Sequence, residues 1–226
     1  MTLPQETVTA LRTLDLGLFD VGPGKRRILC PGFLITTNAG RRILFDTGFP
    51  PAYATDERAA AAADGLDRFG RLVDFTAAQT AEGALALLGL RVSDISHVIL
   101  SHSHIDHVGS LPLFPHAEII LTAAERAEPA PLYFGVNRPM AWPQARYRTI
   151  KRATQICNGL RLIPTPGHTA GHMSSLVTVG APNDLSRMTL RPLGPRVTLT
   201  AFARRLTPSS IFWRASSPKV TCFAMC

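Results

Sequence analysis

The chain has 226 residues, about one and a half times a typical domain, so we expect one compact domain with a sizeable core. Its composition, 46% hydrophobic and 18% charged with a mean hydropathy of +0.11, excludes disordered, collagen-like and coiled-coil proteins. No apolar run reaches the roughly 18 to 20 residues needed to span a bilayer, and the N-terminal sequence lacks the pattern of a signal peptide. These features predict a cytoplasmic protein.

The net charge of +8 is distributed unevenly along the chain. Residues 1–175 hold 17 Lys and Arg against 15 Asp and Glu, a net of +2, whereas residues 176–226 hold 7 against 1, a net of +6. The basic segment contains no recognisable nucleic-acid-binding motif, so we expect neither a nucleic acid nor a membrane partner. The cysteines form no CxxC pair, which predicts ordinary reduced thiols. They are Cys30, Cys157, Cys222 and Cys226.

The first part of the chain has the pattern of strands followed by a helix. Leu14–Val21 alternates loosely, Gly32–Thr37 is a short apolar run, and Arg42–Phe45 follows an Asn-Ala-Gly turn, which together predict a hairpin or meander. Thr80–Leu90 has helical spacing, with the threonine suited to an N-cap and a glycine near the end.

Further along, short apolar runs alternate with loops and turns. His97–Leu100 and Ala117–Leu121 are predicted as buried strands, and Leu160–Pro164 and Ser175–Val179 as two strands that flank a turn. The segment Thr122–Ile150 begins helical and then becomes Pro-rich, which predicts an excursion over the surface that could form a lid. Its aromatic residues offer apolar surface to a substrate or pack the loop down: Tyr133, Phe134, Trp142 and Tyr147. Strands separated by helices predict an α/β sandwich.

The densest cluster of chemically active residues is the motif SHSHIDHVGS, directly after a predicted strand. On extended backbone alternate residues point the same way, so His102 and His104 can present both imidazoles to one ion. Asp106 and His107 lie just beyond, in the turn. Imidazole is a preferred ligand of zinc-like ions, and the motif therefore predicts a metal site.

A second histidine-containing turn, PTPGHTAGH, lies about sixty residues further on. His168 and His172 follow glycines in this turn, where a loop histidine can reach the first cluster and supply a third nitrogen. The spacing alone does not decide which of the two does so.

Three motifs together resemble the metallo-β-lactamase-fold hydrolases. They are LFDTG at 44–48, SHSHIDH at 101–107 and TPGHTAGH at 165–172, in the family's order. The resemblance extends over roughly residues 12–180 and is greatest to the N-acyl homoserine lactonases. It implies an αββα sandwich whose second half is truncated or replaced in this chain.

The resemblance also implies the roles of individual residues. His102, His104 and His168 would hold a first metal ion, and Asp106 with His107 would form part of a second site. Zn²⁺ is the expected cofactor, as one or two ions, and Asp106 would also relay a proton. His172 and Asp46 would lie beneath the ions, where such side chains orient the ligands by hydrogen bonding.

The resemblance ends in the last fifty residues. Family members carry a bridging aspartate about twenty residues after GHTxGH and a later histidine, whereas here Asp184 is the sole acidic residue after His172 and no histidine follows. We therefore expect an incomplete second metal site. The chain is predicted to comprise a metallo-β-lactamase-like domain at 1–180 and an atypical basic tail at 181–226 that is disordered or read from a shifted frame.

The function implied is hydrolysis of a small-molecule lactone or ester. In the leading hypothesis, a metal-bound hydroxide opens the lactone ring of N-acyl homoserine lactones, which is a quorum-quenching activity. The alternatives are a thioester or ester hydrolase resembling glyoxalase II, and an inactive metal-binding pseudoenzyme without a complete second site. The oligomeric state cannot be predicted from these motifs.

Overall fold

The computed structural model describes residues 6–22, 26–134, 138–180 and 220–223. Most of the predicted basic tail, residues 181–219 and 224–226, lies outside the described residues, and the division at residue 180 stays a prediction. Among the residues that the structure describes, no helix is both long and apolar enough to cross a membrane.

Eleven strands and four α-helices are found in this part of the chain. The strands are β1 (Val8–Val21), β2 (Arg26–Thr37), β3 (Arg42–Phe45), β4 (Arg71–Val73), β5 (His97–Ile99), β6 (Glu118–Thr122), β7 (Arg146–Ile150), β8 (Thr154–Cys157), β9 (Leu160–Pro164), β10 (Met173–Thr178) and β11 (Val220–Phe223). The helices are α1 (Glu57–Asp64), α2 (Ala81–Ala86), α3 (Ile105–Val108) and α4 (Ala123–Arg126).

The strands form two sheets. The larger sheet has the order β4-β1-β2-β3-β5-β6-β7, and the smaller has the order β11-β10-β9-β8. In the larger sheet β3, β5, β6 and β7 are parallel, so their carboxyl ends meet at one edge. The smaller sheet is antiparallel throughout. Side chains that follow β3, β5 and β6 in sequence are therefore brought together, as is usual for sites at the carboxyl ends of parallel strands.

The core has two layers because the strands of the larger sheet are apolar on both faces. In β2, Phe33 and Ile35 belong to a cluster shared with β9 and β10, whereas Leu34 belongs to a cluster shared with the helices. Ile99 and Val98 of β5 divide in the same way. This alternation, with a period of two residues, lets one sheet pack against a second sheet on one side and against α1, α2 and α3 on the other. The result is an α/β sandwich.

Most predicted elements are present. β3 and β9 have the predicted bounds, and Thr80 caps α2, its hydroxyl accepting a hydrogen bond from the amide of Gly83 at 3.0 Å. That helix ends at Ala86, earlier than predicted, because the chain turns at Gly89, where φ is +71°. A left-handed conformation of this kind favours glycine.

The predicted surface excursion over Thr122–Ile150 is wrong at its C-terminal end. Arg146–Ile150 is β7, the parallel edge strand of the larger sheet, and Ile150 is buried between the sheets. The prolines that precede it indicate a loop but give no information on where a strand resumes. Helix α1 was not predicted from the sequence; it is alanine-rich and capped by Asp56, whose side chain accepts a hydrogen bond from the amide of Ala59.

Candidate metal centre

Two loops carry the predicted metal-binding histidines to one place. His102 and His104 follow β5, and His104 is the N-cap residue of α3. His168 lies in the loop between β9 and β10. The loops are joined where the amide of Met173 donates a hydrogen bond to the carbonyl of Ser101 at 2.8 Å. The two motifs, far apart in sequence, therefore form one site.

His102, His104 and His168, here called the histidine group, converge on one point. One nitrogen from each imidazole lies within 4.8 Å of the others, and each pair of ring centroids is 4.6 Å apart. His102 is fully buried; its Nδ1 lies 3.0 Å from the hydroxyl of Ser101, whereas its Nε2 has no hydrogen-bond partner in the structure. A buried nitrogen without a hydrogen-bond partner destabilises the folded protein unless a ligand binds to it.

The electrostatics of the histidine group suit a cation. Burial lowers the pKa of all three imidazoles, that of His104 to about 4, and the neighbouring histidines lower them further. Neutral imidazole is the form that coordinates a metal. Three imidazoles with an open fourth position are a donor set typical of catalytic zinc, so the residues fit a divalent ion.

Asp46, Asp106 and His107, here called the acidic cluster, lie beside the histidine group. His107 Nδ1 is 2.9 Å from Asp46 Oδ2, and its Nε2 is 3.1 Å from Asp106 Oδ2. Burial alone would lower the pKa of His107, but the two carboxylates outweigh it and raise the pKa to about 10. Asp46 also accepts hydrogen bonds from the amide and hydroxyl of Ser101 at 2.7 and 2.8 Å. The Oδ1 atom of Asp106 is buried without a partner.

His172 lies beside the histidine group without being part of it. Its ring is 5.4 Å from that of His102, and its Nδ1 is within 3.0 Å of both the hydroxyl and the carbonyl oxygen of Thr165. Of the two histidines in this turn, His168 is therefore the one that joins the group.

Several residues of the site were missed by the sequence analysis. Glu125 is buried and accepts hydrogen bonds from Ser103 and Thr169, and Cys30 contacts Asp106 with its thiol sulfur 3.8 Å from Oδ2. No spacing rule links these residues, because their partners lie in loops and a helix that are distant in sequence. Cys30 and Cys157 are both free and buried.

The aromatic residues of the predicted lid have different positions. The ring of Phe134 lies 5.1 Å from that of His104, so one aromatic side chain of the segment borders the histidine group. Tyr133 is buried in the core. Trp142 and Tyr147 instead pack against each other and on the guanidinium of Arg126.

The sequence profile of the metallo-beta-lactamase superfamily matches residues 29–185, more than half of the chain and all of the histidine group. The chain belongs to the metallo-beta-lactamase superfamily. This confirms the expected fold, and the superfamily's hydrolases are enzymes that bind divalent metal ions.

Three similar proteins, two found by sequence and one by structure, indicate which kinds of hydrolase the chain resembles. The chain is 30% identical over 177 residues to a "probable metallo-hydrolase" of Mycobacterium tuberculosis, covering 68% of this chain and 54% of that protein. It is 30% identical over 146 residues to an N-acyl homoserine lactonase of Bacillus cereus, covering 64% and 56%. A crystal structure of an N-acyl homoserine lactone hydrolase, with the product N-hexanoyl-L-homoserine at its catalytic metal centre, superimposes with a TM-score of 0.63 and 26% identity, covering 76% and 71%. The chain spans about half the length of the curated relatives it matches.

Proposed function

We propose that this metallo-beta-lactamase superfamily protein is a metal-dependent hydrolase that opens the lactone ring of N-acyl homoserine lactones. The observation that carries the proposal is the convergence of three neutral imidazoles, of which His102 is fully buried with one nitrogen left without a hydrogen-bond partner. Similarity to N-acyl homoserine lactonases supports the substrate class. The activity would be a quorum-quenching one, and we expect it in the cytoplasm.

The cofactor that we propose is Zn²⁺, held by His102, His104 and His168. When bound, such an ion activates water for attack on a carbonyl carbon. Ser101 orients His102, since its hydroxyl lies 3.0 Å from Nδ1 and leaves the opposite nitrogen, Nε2, as the one that would bind the ion. A second, more weakly held ion would use Asp106 and His107.

Asp106 is the residue to which we assign proton transfer. Water adds across the ring ester: its oxygen bonds to the carbonyl carbon, the ring C–O bond breaks, and the departing ring oxygen takes a proton. Asp106 Oδ1 has no hydrogen-bond partner, while Oδ2 is held by His107 at 3.1 Å. One oxygen is thus fixed and the other is available to carry the proton.

The test combines metal analysis with a substrate comparison on the full chain. We expect purified protein to contain zinc, to open N-hexanoyl homoserine lactone with release of one acid equivalent, and to lose both properties after chelation until Zn²⁺ is returned. His116→Ala, which changes a histidine remote from the site, serves as the control. Absence of metal would contradict the metal centre itself.

Two other results would correct the proposal more narrowly. Hydrolysis of a glutathione thioester without lactone opening would assign a glyoxalase II-like activity. Bound zinc without turnover of either substrate would indicate a metal-binding pseudoenzyme.

A further inference from the structure

Glu125 is a buried carboxylate that contacts both histidine-containing loops. It lies in α4, directly after β6, and is 2% exposed. One oxygen accepts hydrogen bonds from the amide and hydroxyl of Ser103, at 2.7 and 2.5 Å. The other oxygen accepts a hydrogen bond from the hydroxyl of Thr169 at 2.7 Å. Each oxygen therefore holds one loop.

The two residues held by Glu125 are adjacent in sequence to the histidine group. Ser103 lies between His102 and His104, and Thr169 directly follows His168. A displacement of either loop would thus move an imidazole relative to the other two. Because each hydrogen bond ends within one residue of a histidine, the carboxylate fixes the separation of the loops close to the point where the three nitrogens meet.

Backbone packing beside Glu125 reinforces this connection. The hydroxyl of Thr122 donates a hydrogen bond to the carbonyl of Gly171 at 2.6 Å, and a Cβ at Gly171 would lie 2.2 Å from the amide nitrogen of Glu125. On the other side, the amide of Tyr133 donates a hydrogen bond to the carbonyl of Ser103 at 3.0 Å. The segment from Thr122 to Tyr133 therefore contacts both loops.

We propose that Glu125 is a positioning residue, which sets the distance between the two histidine-containing loops and so the geometry in which they bind a metal ion. The inference rests on the metal centre proposed above. Among the ion pairs of the described residues none includes Glu125, so its buried carboxylate is stabilised by the hydroxyl and amide donors of the two loops. Partners of metal ligands commonly control affinity in this way.

The experiment compares the wild type with four full-length variants, all loaded with Co²⁺, whose visible absorption reports coordination geometry. Glu125→Ala removes both connections, and we expect Co²⁺ affinity in chelator competition to fall about 10- to 100-fold, with an altered absorption spectrum. Glu125→Gln keeps an oxygen that accepts both hydrogen bonds from Ser103, and its NH₂ group can donate to the hydroxyl oxygen of Thr169. Its affinity and spectrum should therefore remain close to those of the wild type. Glu128→Gln is the matched control, since Glu128 pairs with Arg138 at the protein surface.

Thr169→Val removes a single hydroxyl, keeps the side-chain volume, and decides the case if Glu125→Ala does not fold. It should weaken Co²⁺ binding less than Glu125→Ala while also changing the spectrum. Wild-type affinity and spectrum in folded Glu125→Ala, or in Thr169→Val where Glu125→Ala is unfolded, would overturn the inference and leave the metal centre standing. Failure of the wild type to bind Co²⁺ or Zn²⁺ would overturn both.

Discussion

The histidine group and the acidic cluster are neighbours in the fold but differ in protonation. The imidazoles of the histidine group have lowered pKa values, chiefly because the surrounding protein desolvates their charged form, and they are neutral. His107 of the acidic cluster lies between two carboxylates, which raise its pKa to about 10, so both ring nitrogens are protonated and the side chain is positively charged. Histidine is thus neutral and able to bind a metal in one region and positively charged in the other, because the groups that surround it differ.

The difference in protonation predicts a difference in metal affinity. An ion can bind to the histidine group without displacing a proton, whereas at the acidic cluster His107 must first lose one. The sequence also has no aspartate at the spacing where the resembled family carries its bridging aspartate. We therefore expect one tightly held ion, with any second ion labile.

The largest expected effect follows from removing one member of the histidine group. His104→Ala leaves two imidazoles where three converge, so metal affinity should fall more than about 100-fold, since even partners of ligands account for about 10- to 100-fold. Hydrolysis should be lost in parallel. Metal analysis after dialysis measures the effect, with His116→Ala as a control that leaves the site intact. Unchanged metal content in His104→Ala would show that His104 is not a metal ligand.

A chimera tests whether the acidic cluster binds metal weakly because the chain has no bridging aspartate and no later histidine. Replacing residues 181–226 with the corresponding part of an N-acyl homoserine lactonase retains β10 and adds the bridging aspartate and the last histidine. Metal content should rise from about one towards two ions per chain, because a shared carboxylate holds two ions about 3.5 to 4 Å apart. Asp106→Asn in the chimera should abolish the gain. Two tightly bound ions in the unmodified chain would contradict the expected difference in metal affinity between the histidine group and the acidic cluster.

The two regions should titrate in opposite directions in metal-free protein. The pKa of His107 is raised from 6.5 to about 10, so its stabilising effect is complete below pH 6.5 and is lost as the pH rises towards 10. The pKa of His104 is lowered from 6.5 to about 4, so its contribution is complete above pH 6.5 and is lost as the pH falls towards 4. Thermal unfolding followed from pH 4 to 10 measures both limbs.

Variants assign each limb of this profile. Asp46→Asn removes one of the two carboxylates that raise the pKa of His107 and should reduce the loss of stability at high pH. His104→Ala should reduce the loss at low pH while leaving the alkaline limb in place. A wild-type stability that keeps rising from pH 7 to 10 would show that His107 is neutral in the folded protein.

The sequence predicted those parts of the fold and site that depend on local spacing. β3 and β9 were recognised from short apolar runs, and His102 and His104 from the spacing of one motif, whereas His168 was chosen over His172 only by the resemblance to the family. β7 was missed because the proline-rich segment before it obscures the point where the strand begins. β7 is similar in length to β3 and β9 but consists mostly of polar, exposed residues, so it lacks the apolar run by which those strands were recognised.

Residues that support the site could not be predicted in the same way. The interactions of Glu125 with Ser103 and Thr169 connect α4 with two loops that are separate in sequence. Neither the glutamate nor its partners occur at a diagnostic spacing. The pairing of β6 with β5 brings Glu125 to Ser103, and Thr169 comes from the loop between β9 and β10 of the other sheet. The contact between Cys30 and Asp106 was missed for the same reason, since the two residues are 76 positions apart in the sequence.

The smallest expected effect tests whether the two regions are energetically separate. Cys30 is buried, and its sulfur lies 3.8 Å from Asp106 Oδ2; burial and the Asp106 carboxylate raise the pKa of the thiol, which stays protonated. A thiol is a weak donor, so Cys30→Ala should cost about 1 kcal/mol in the free energy of unfolding, chiefly from the small cavity left behind. Because Cys30 contacts the acidic cluster, the ion in the histidine group should bind as in the wild type. Denaturant unfolding and chelator competition on one sample measure both quantities, and a tenfold loss of metal affinity would mean that Asp106 contributes to the tightly held ion.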